Sequence, residues 1–240
     1  MKLLSLAIRN MKEVYRDPLT VLLGLAMPLT LLILFSSMHL DLEIFSPQML
    51  APGIVVFCYA FLIMFSAMLL AKDRQNAFLT RLFTTPLKPV DFILAYSLPF
   101  VPIALFQTLV CLITGVIFGA IFSNILFSLV IFLLIMTICV SLGMIMGTLL
   151  SINQVSGVGS VLITAIGLFS GAWMDLKMVG GVFENVGYAL PFAHAVDAAK
   201  YLLSGSEFSD IIGNFYWVLG YALILVILAI LAFRWKMKQG

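Results

Sequence analysis

Long apolar runs alternate with short polar breaks along the chain, and they predict helices near 19–38, 50–71, 92–120, 124–150, 155–174 and 211–233. Each run is near or above the length of about 20 residues that crosses a hydrocarbon layer of roughly 30 Å. No Asp, Glu, Lys, Arg or His lies in the interior of any of them. The pattern predicts an all-α integral membrane fold with six transmembrane helices. Pro28 in the first run, and Pro99 with Pro102 in the third, each remove a backbone donor and predict kinks. Gly115 with Gly119, Gly143 with Gly147, and Gly167 with Gly171 pair glycines four residues apart, which on a helix makes a face for close packing.

The polar breaks carry their own patterns. Residues 1–17 predict an N-terminal amphipathic interfacial helix: Leu4, Ala7, Ile8, Met11, Val14 and Tyr15 make an apolar side, while Ser5, Arg9, Lys12 and Arg16 make a polar one. Such a helix can anchor to lipid, dock on a protein, or do both. Residues 72–91 hold a short helical stretch, Arg74 to Phe83, with Phe78, Leu79, Leu82 and Phe83 beside Arg74 and Arg81, stopped by Pro86 and Pro89. Apolar and basic groups so arranged can seat in a groove of another protein, and they can equally be a solvated loop that sets topology. Residues 175–210 are too charged to cross a membrane and too long for a turn. Their apolar patches predict short helices, either an external re-entrant segment between the fifth and sixth spans or an element that packs those spans together.

Composition sharpens this picture. Hydrophobic residues make up 63% of the 240 and charged residues 10%, against about 45–50% and about 25% in soluble domains. Placing the N-terminus in the cytoplasm puts eleven of the 13 basic residues inside and leaves Lys177 and Lys200 outside, which predicts both termini on the cytoplasmic face of a multi-pass protein of the plasma membrane. The start of the chain has no apolar core or cleavage site of a signal peptide, so it is expected to remain in place. Cys58, Cys111 and Cys139 all fall in spans and read as small buried hydrophobes. A formal charge of +2 gives no reason to expect nucleic acid as a partner.

The chemistry expected of a self-powered carrier is missing from the sequence. Ionisable groups at membrane depth mark proton and ion pathways, and the spans have none. No Gly-x-x-x-x-Gly-Lys-Ser/Thr phosphate loop occurs. His39 and His194 are the two histidines and both lie between spans, so no metal site or catalytic residue is proposed. Energy for transport is therefore expected from a partner.

Two local patterns carry a family resemblance. Lys72-Asp73-Arg74 through Leu82, then Thr85-Pro86-Leu87, resembles the charged cytoplasmic segment of the membrane subunit of type 2 ATP-binding-cassette transporters, with Asn76-Ala77-Phe78-Leu79 replacing that family's usual Gly-Thr-Leu region. Pro191-Phe192-Ala193-His194-Ala195-Val196-Asp197-Ala198-Ala199-Lys200 resembles its Pro-x-x-x-Ala-Val-Asp-x-x-Arg pattern before the last helix. The resemblance implies a single transmembrane domain over 1–240, a permease of drug, polysaccharide or lipid-glycan exporter type. It implies a second permease copy, identical or not, and two cytoplasmic ATPase subunits that bind ATP and Mg. Lys72, Asp73, Arg74, Phe78, Arg81, Leu82 and Pro86 become candidate ATPase-coupling residues, and Pro191, His194, Asp197 and Lys200 the external re-entrant motif.

Apolar walls with scattered Gln107, Thr108, Thr137, Ser141, Thr164 and Ser170 suit a path for an amphipathic or hydrophobic substrate such as a drug, antimicrobial peptide, lipid or glycan. The competing reading is an ATP-independent channel or scaffold. An intramembrane enzyme needs catalytic groups at depth, which the spans lack.

Overall fold

The computed structural model describes residues 2–37, 46–76 and 88–237. Eleven α-helices and one 3-10 turn are placed in this part of the chain, with no strand among the described residues. Helix α1 (Lys2–Tyr15) precedes α2 (Pro18–Ser37) and the long α3 (Pro47–Gln75). Helices α4 (Pro89–Ser97) and α5 (Phe100–Ile117) follow, then α6 (Ile125–Leu149) and α7 (Ile152–Phe169). Three short helices come next, α8 (Leu176–Val179), α9 (Gly181–Ala189) and α10 (Pro191–Leu203), before the 3-10 turn Phe208–Ile211 and the closing α11 (Ile212–Met237).

Among the described residues, five segments are long and apolar enough to cross a membrane: α3, α4 with α5, α6, α7, and the 3-10 turn with α11. Helix α2 has 20 residues and continues through Pro28, a length of about 30 Å at 1.5 Å per residue. The third expected helix is divided. Pro99 lacks the N–H that would bond back to the preceding turn, so α4 ends at Ser97 and a new helix starts at Phe100.

Helices α3 and α6 form the centre, and α10 and α11 pack against α6 while α7 packs against α3. The apolar stretch of α3 is mostly buried within the chain, whereas that of the last span is mostly exposed. Leu223, Ile224, Ile227, Leu228 and Leu231 of α11 are exposed, an outward apolar surface suited to lipid. The centre is tight because Gly143 and Gly147 of α6 face α3. A Cβ at Gly147 would lie 2.6 Å from the Ala67 carbonyl oxygen, and one at Gly143 would overlap Ser66 Oγ and the Ile63 carbonyl.

The other two glycine pairs are not helix faces. Gly119 lies beyond the end of α5 at φ +92° in a turn closed by Ala120 N–H donating to the Gly115 carbonyl at 2.9 Å, and Gly171 lies beyond α7 at φ +71°. Positive φ is cheap for glycine, which is why these two end helices instead of packing them.

Helix α1 also differs from its sequence reading. Its protein-facing side is Leu6, Ala7, Asn10 and Val14, whereas Leu4, Ile8 and Tyr15 stay exposed. Asn10 can be buried because its Nδ2 donates to the Ala95 carbonyl at 3.2 Å. The helix thus has a protein face, a free apolar edge and a polar edge that includes Lys12 and Arg16.

Candidate functional site

At one end of the bundle the charged run 72–74 closes α3 instead of starting a separate loop. Lys72 is exposed, but Asp73 is 1% exposed. A carboxylate so buried needs partners, and it has three hydrogen bonds. Arg9 Nη2 donates to Asp73 Oδ1 at 2.7 Å, Arg9 Nη1 donates to Oδ2, and the Tyr96 hydroxyl donates to Oδ2 at 2.5 Å. Arg9 also pairs with Glu13 at 2.5 Å and donates to Asn10 Oδ1 at 2.9 Å. Burial works against the Arg9 charge, yet the hydrogen bond and charge of Asp73, with Glu13, hold the guanidinium above its usual range. The network joins α1, the end of α3 and α4.

Arg74 turns the other way. Its two terminal nitrogens donate to the backbone carbonyls of Thr148 and Leu150. These carbonyls belong to the end of α6, where the last turn has unpaired acceptors and the negative end of the helix dipole. Arg74 therefore caps α6. Phe78, Arg81, Leu82 and Pro86 lie outside the described residues, which resume with the turn at Lys88 that opens α4. There Asp91 accepts from the Lys88 N–H at 2.8 Å.

The second cluster stands at the opposite end. Pro191 occupies the first turn of α10, where its missing N–H costs nothing. His194 Nε2 meets the Tyr188 carbonyl at 3.0 Å and Nδ1 meets Asn214 Oδ1 at 2.7 Å, with the Trp217 ring 5.3 Å away. Asp197 accepts the Tyr188 hydroxyl at 2.6 Å, and burial together with that carboxylate pushes the Tyr188 phenol up. Lys200 donates to the Gly171 carbonyl at 3.0 Å. His194, Asp197 and Lys200 tie α10 to α9, to α11 and to the turn after α7. That turn is held from its other side by α3, since a Cβ at Gly53 would lie 2.6 Å from the Ala172 carbonyl oxygen.

The six polar residues of the spans do not share one surface. Gln107, Thr108, Ser141 and Ser170 are buried within the chain. Thr108 Oγ1 lies 2.5 Å from the Tyr59 hydroxyl and 3.0 Å from the Ala104 carbonyl, and Ser170 Oγ accepts from the Ala172 N–H at 3.3 Å. Thr137 is half-buried and bonds the Leu133 carbonyl. Thr164 is exposed on α7 beside Asn153, Gly157 and Ser160, which recur at helical spacing on the same open face.

Sequence reasoning missed Tyr96 and Asn10, and it placed Arg9 on the polar face that was to meet lipid or a partner protein. Tyr96 is a lone hydroxyl inside an apolar run, and its partner lies 23 residues away.

A family model described as ABC-2 type transporter matches residues 1–204. No curated relative matches the sequence.

Proposed function

The chain belongs to the ABC-2 type transporter family, and from that premise we propose that it is the permease subunit of an ATP-driven exporter, with six spans and both termini on the cytoplasmic side of the plasma membrane. One observation supports the coupling in particular: the Arg9–Asp73–Tyr96 network binds α1, α3 and α4 together at the end from which residues 77–87 leave and return. Two partner ATPase subunits, binding ATP and Mg, close on each other and displace those residues. The network passes the displacement to three helices at once instead of letting α3 fray. Lys72 stays exposed beside the segment and is available to a partner, while Asp73 and Arg74 hold the frame that carries the force.

The path forms between this chain and a second permease copy. Of the six candidate lining residues, we assign this role to Thr164, which is exposed on α7 and so supports the reading. The substrate is an amphipathic or hydrophobic molecule of the drug, antimicrobial peptide, lipid or glycan type, and residues 175–210 close the path from outside as a re-entrant segment.

The test is co-purification from native membranes in mild detergent with ATP hydrolysis measured on the isolate. Phe78→Asp and Arg81→Glu are expected to lose the ATPase while the chain stays folded. Export by the chain without any ATPase, as a channel or scaffold predicts, overturns the reading.

A further inference from the structure

At the end of the bundle away from Asp73, a cavity of about 550 Å³ opens between the start of α3, the turn after α7 and helices α8 to α10. Sites for small ligands typically measure about 300–1,000 Å³ and combine apolar walls with a few convergent polar groups. Met49, Met174 and Leu176 supply apolar wall, and Met178, 81% exposed, stands at the rim. The charged groups are two acids and two bases, Asp175 and Lys177 around the start of α8 and Asp197 and Lys200 on α10, with the hydroxyls of Tyr188, Tyr201 and Ser204 beside them.

The charges on α10 line the cavity without making a direct ion pair with each other. Lys200 and Asp197 form no ion pair with each other, so their charged atoms stand more than 4.0 Å apart. Lys200 has one hydrogen bond, to the Gly171 carbonyl, and Asp197 has one, from the Tyr188 hydroxyl. Asp175 spends an oxygen on the Lys177 N–H at 2.9 Å, and the Lys177 ammonium lies 5.7 Å from the centre of the Tyr188 ring. Burial pushes the Lys200 ammonium below the usual lysine range, and Asp197 and Asp175 draw it part of the way back. Opposite charges held apart in a half-enclosed apolar space leave both short of partners.

We propose that this cavity binds a zwitterionic amphiphile, with its oxyanion on Lys200, its ammonium on Asp197 and its apolar body along Met49, Met174 and Leu176. The charge balance selects this class. A purely anionic ligand meets Asp175 and Asp197, a purely cationic one meets Lys177 and Lys200, and an apolar one only deepens the burial of all four. A ligand carrying both signs at headgroup spacing completes both ends. That chemistry is shared by the ammonioethyl-phosphate headgroup of a bilayer lipid and by the same headgroup on a short-chain molecule arriving from water. The site rests on the cavity and its charges and does not depend on ATP coupling.

The test uses the full chain, with any subunits that accompany it, reconstituted in bilayers of equal phosphatidylethanolamine and phosphatidylglycerol with identical acyl chains. Native mass spectrometry after transfer to detergent is expected to show at least fivefold preferential retention of phosphatidylethanolamine. Asp197→Asn should shift the preference toward phosphatidylglycerol, since Lys200 then acts without its acid, and Lys200→Met should abolish retention of both. Dihexanoylphosphatidylethanolamine added from water gives the second arm. Binding of that probe without retained bilayer lipid supports the site with an aqueous source, and retained bilayer lipid supports it with a leaflet source. Equal retention of the two headgroups by the wild type, a comparison that needs no variant, overturns the proposal if the short-chain probe also fails to bind.

Discussion

Arg9 and Asp73, 64 residues apart in sequence, form a two-armed ion pair whose acid is buried and whose base is 37% exposed. The asymmetry fixes which partner can be lost. Arg9→Ala leaves Asp73 buried with only the Tyr96 hydroxyl, at an expected cost of about 3 kcal/mol. Asp73→Asn costs less, because Arg9 keeps Glu13 and reaches water. Thermal unfolding in detergent should rank Arg9→Ala below Asp73→Asn, with the double variant less damaged than the sum of the two. Additive losses would show that the pair is not coupled.

Arg74→Ala should cost about 1–2 kcal/mol by uncapping the last carbonyls of α6. Arg74→Lys keeps the charge without the fork and should fall between. Thermal shifts measured beside Arg81→Glu separate the two residues: the first series changes stability, and the second changes partner binding.

Gly143→Ala and Gly147→Ala put a methyl into the α3 backbone, and each is expected to lose about 3 kcal/mol or fail to assemble. Gly220→Ala, in α11 with no atom within 4 Å of the added Cβ, should be neutral or slightly stabilising. Yield of monodisperse protein and melting temperature report the contrast.

This contrast also shows how far the sequence could be read. Four-residue spacing picks three glycine pairs, but spacing alone does not say that Gly119 and Gly171 stop helices, because that depends on where a positive φ falls. The spans were legible as uncharged apolar runs, and the break before Phe100 was legible in Pro99. Asp73 was not, because in Lys-Asp-Arg-Gln-Asn it looks like one charge among several in a solvated segment. Its burial follows from Arg9 and Tyr96 arriving from two other helices. Thr108 was read as wall because its hydroxyl is polar, yet a helix hydroxyl can bond its own preceding turn, as Thr108 bonds the Ala104 carbonyl, and be buried at little cost.

Lys200 predicts a pH effect of defined sign. Burial lowers its pKa in the folded chain, so between that value and the usual lysine range the unfolded chain binds more protons than the folded one. Stability contributed by this group therefore rises with pH across that window and is least below it. The charged groups facing it are Asp197 on its own helix, and Asp175 and Lys177 from the α8 side. Denaturation monitored from pH 7 to 10 should show a smaller positive slope for Lys200→Met than for wild type. Identical slopes would mean that the ammonium is not desolvated.

Where Gly147 meets the Ala67 carbonyl, no side chain stands between α3 and α6 to be repacked into a second arrangement. Two rods touching main chain to main chain cannot slide by a rotamer hop, so they act as a fixed keel. Any larger rearrangement of the bundle has to come from staves swinging around that keel, and the Leu98–Pro99 joint between α4 and α5 is a natural elbow.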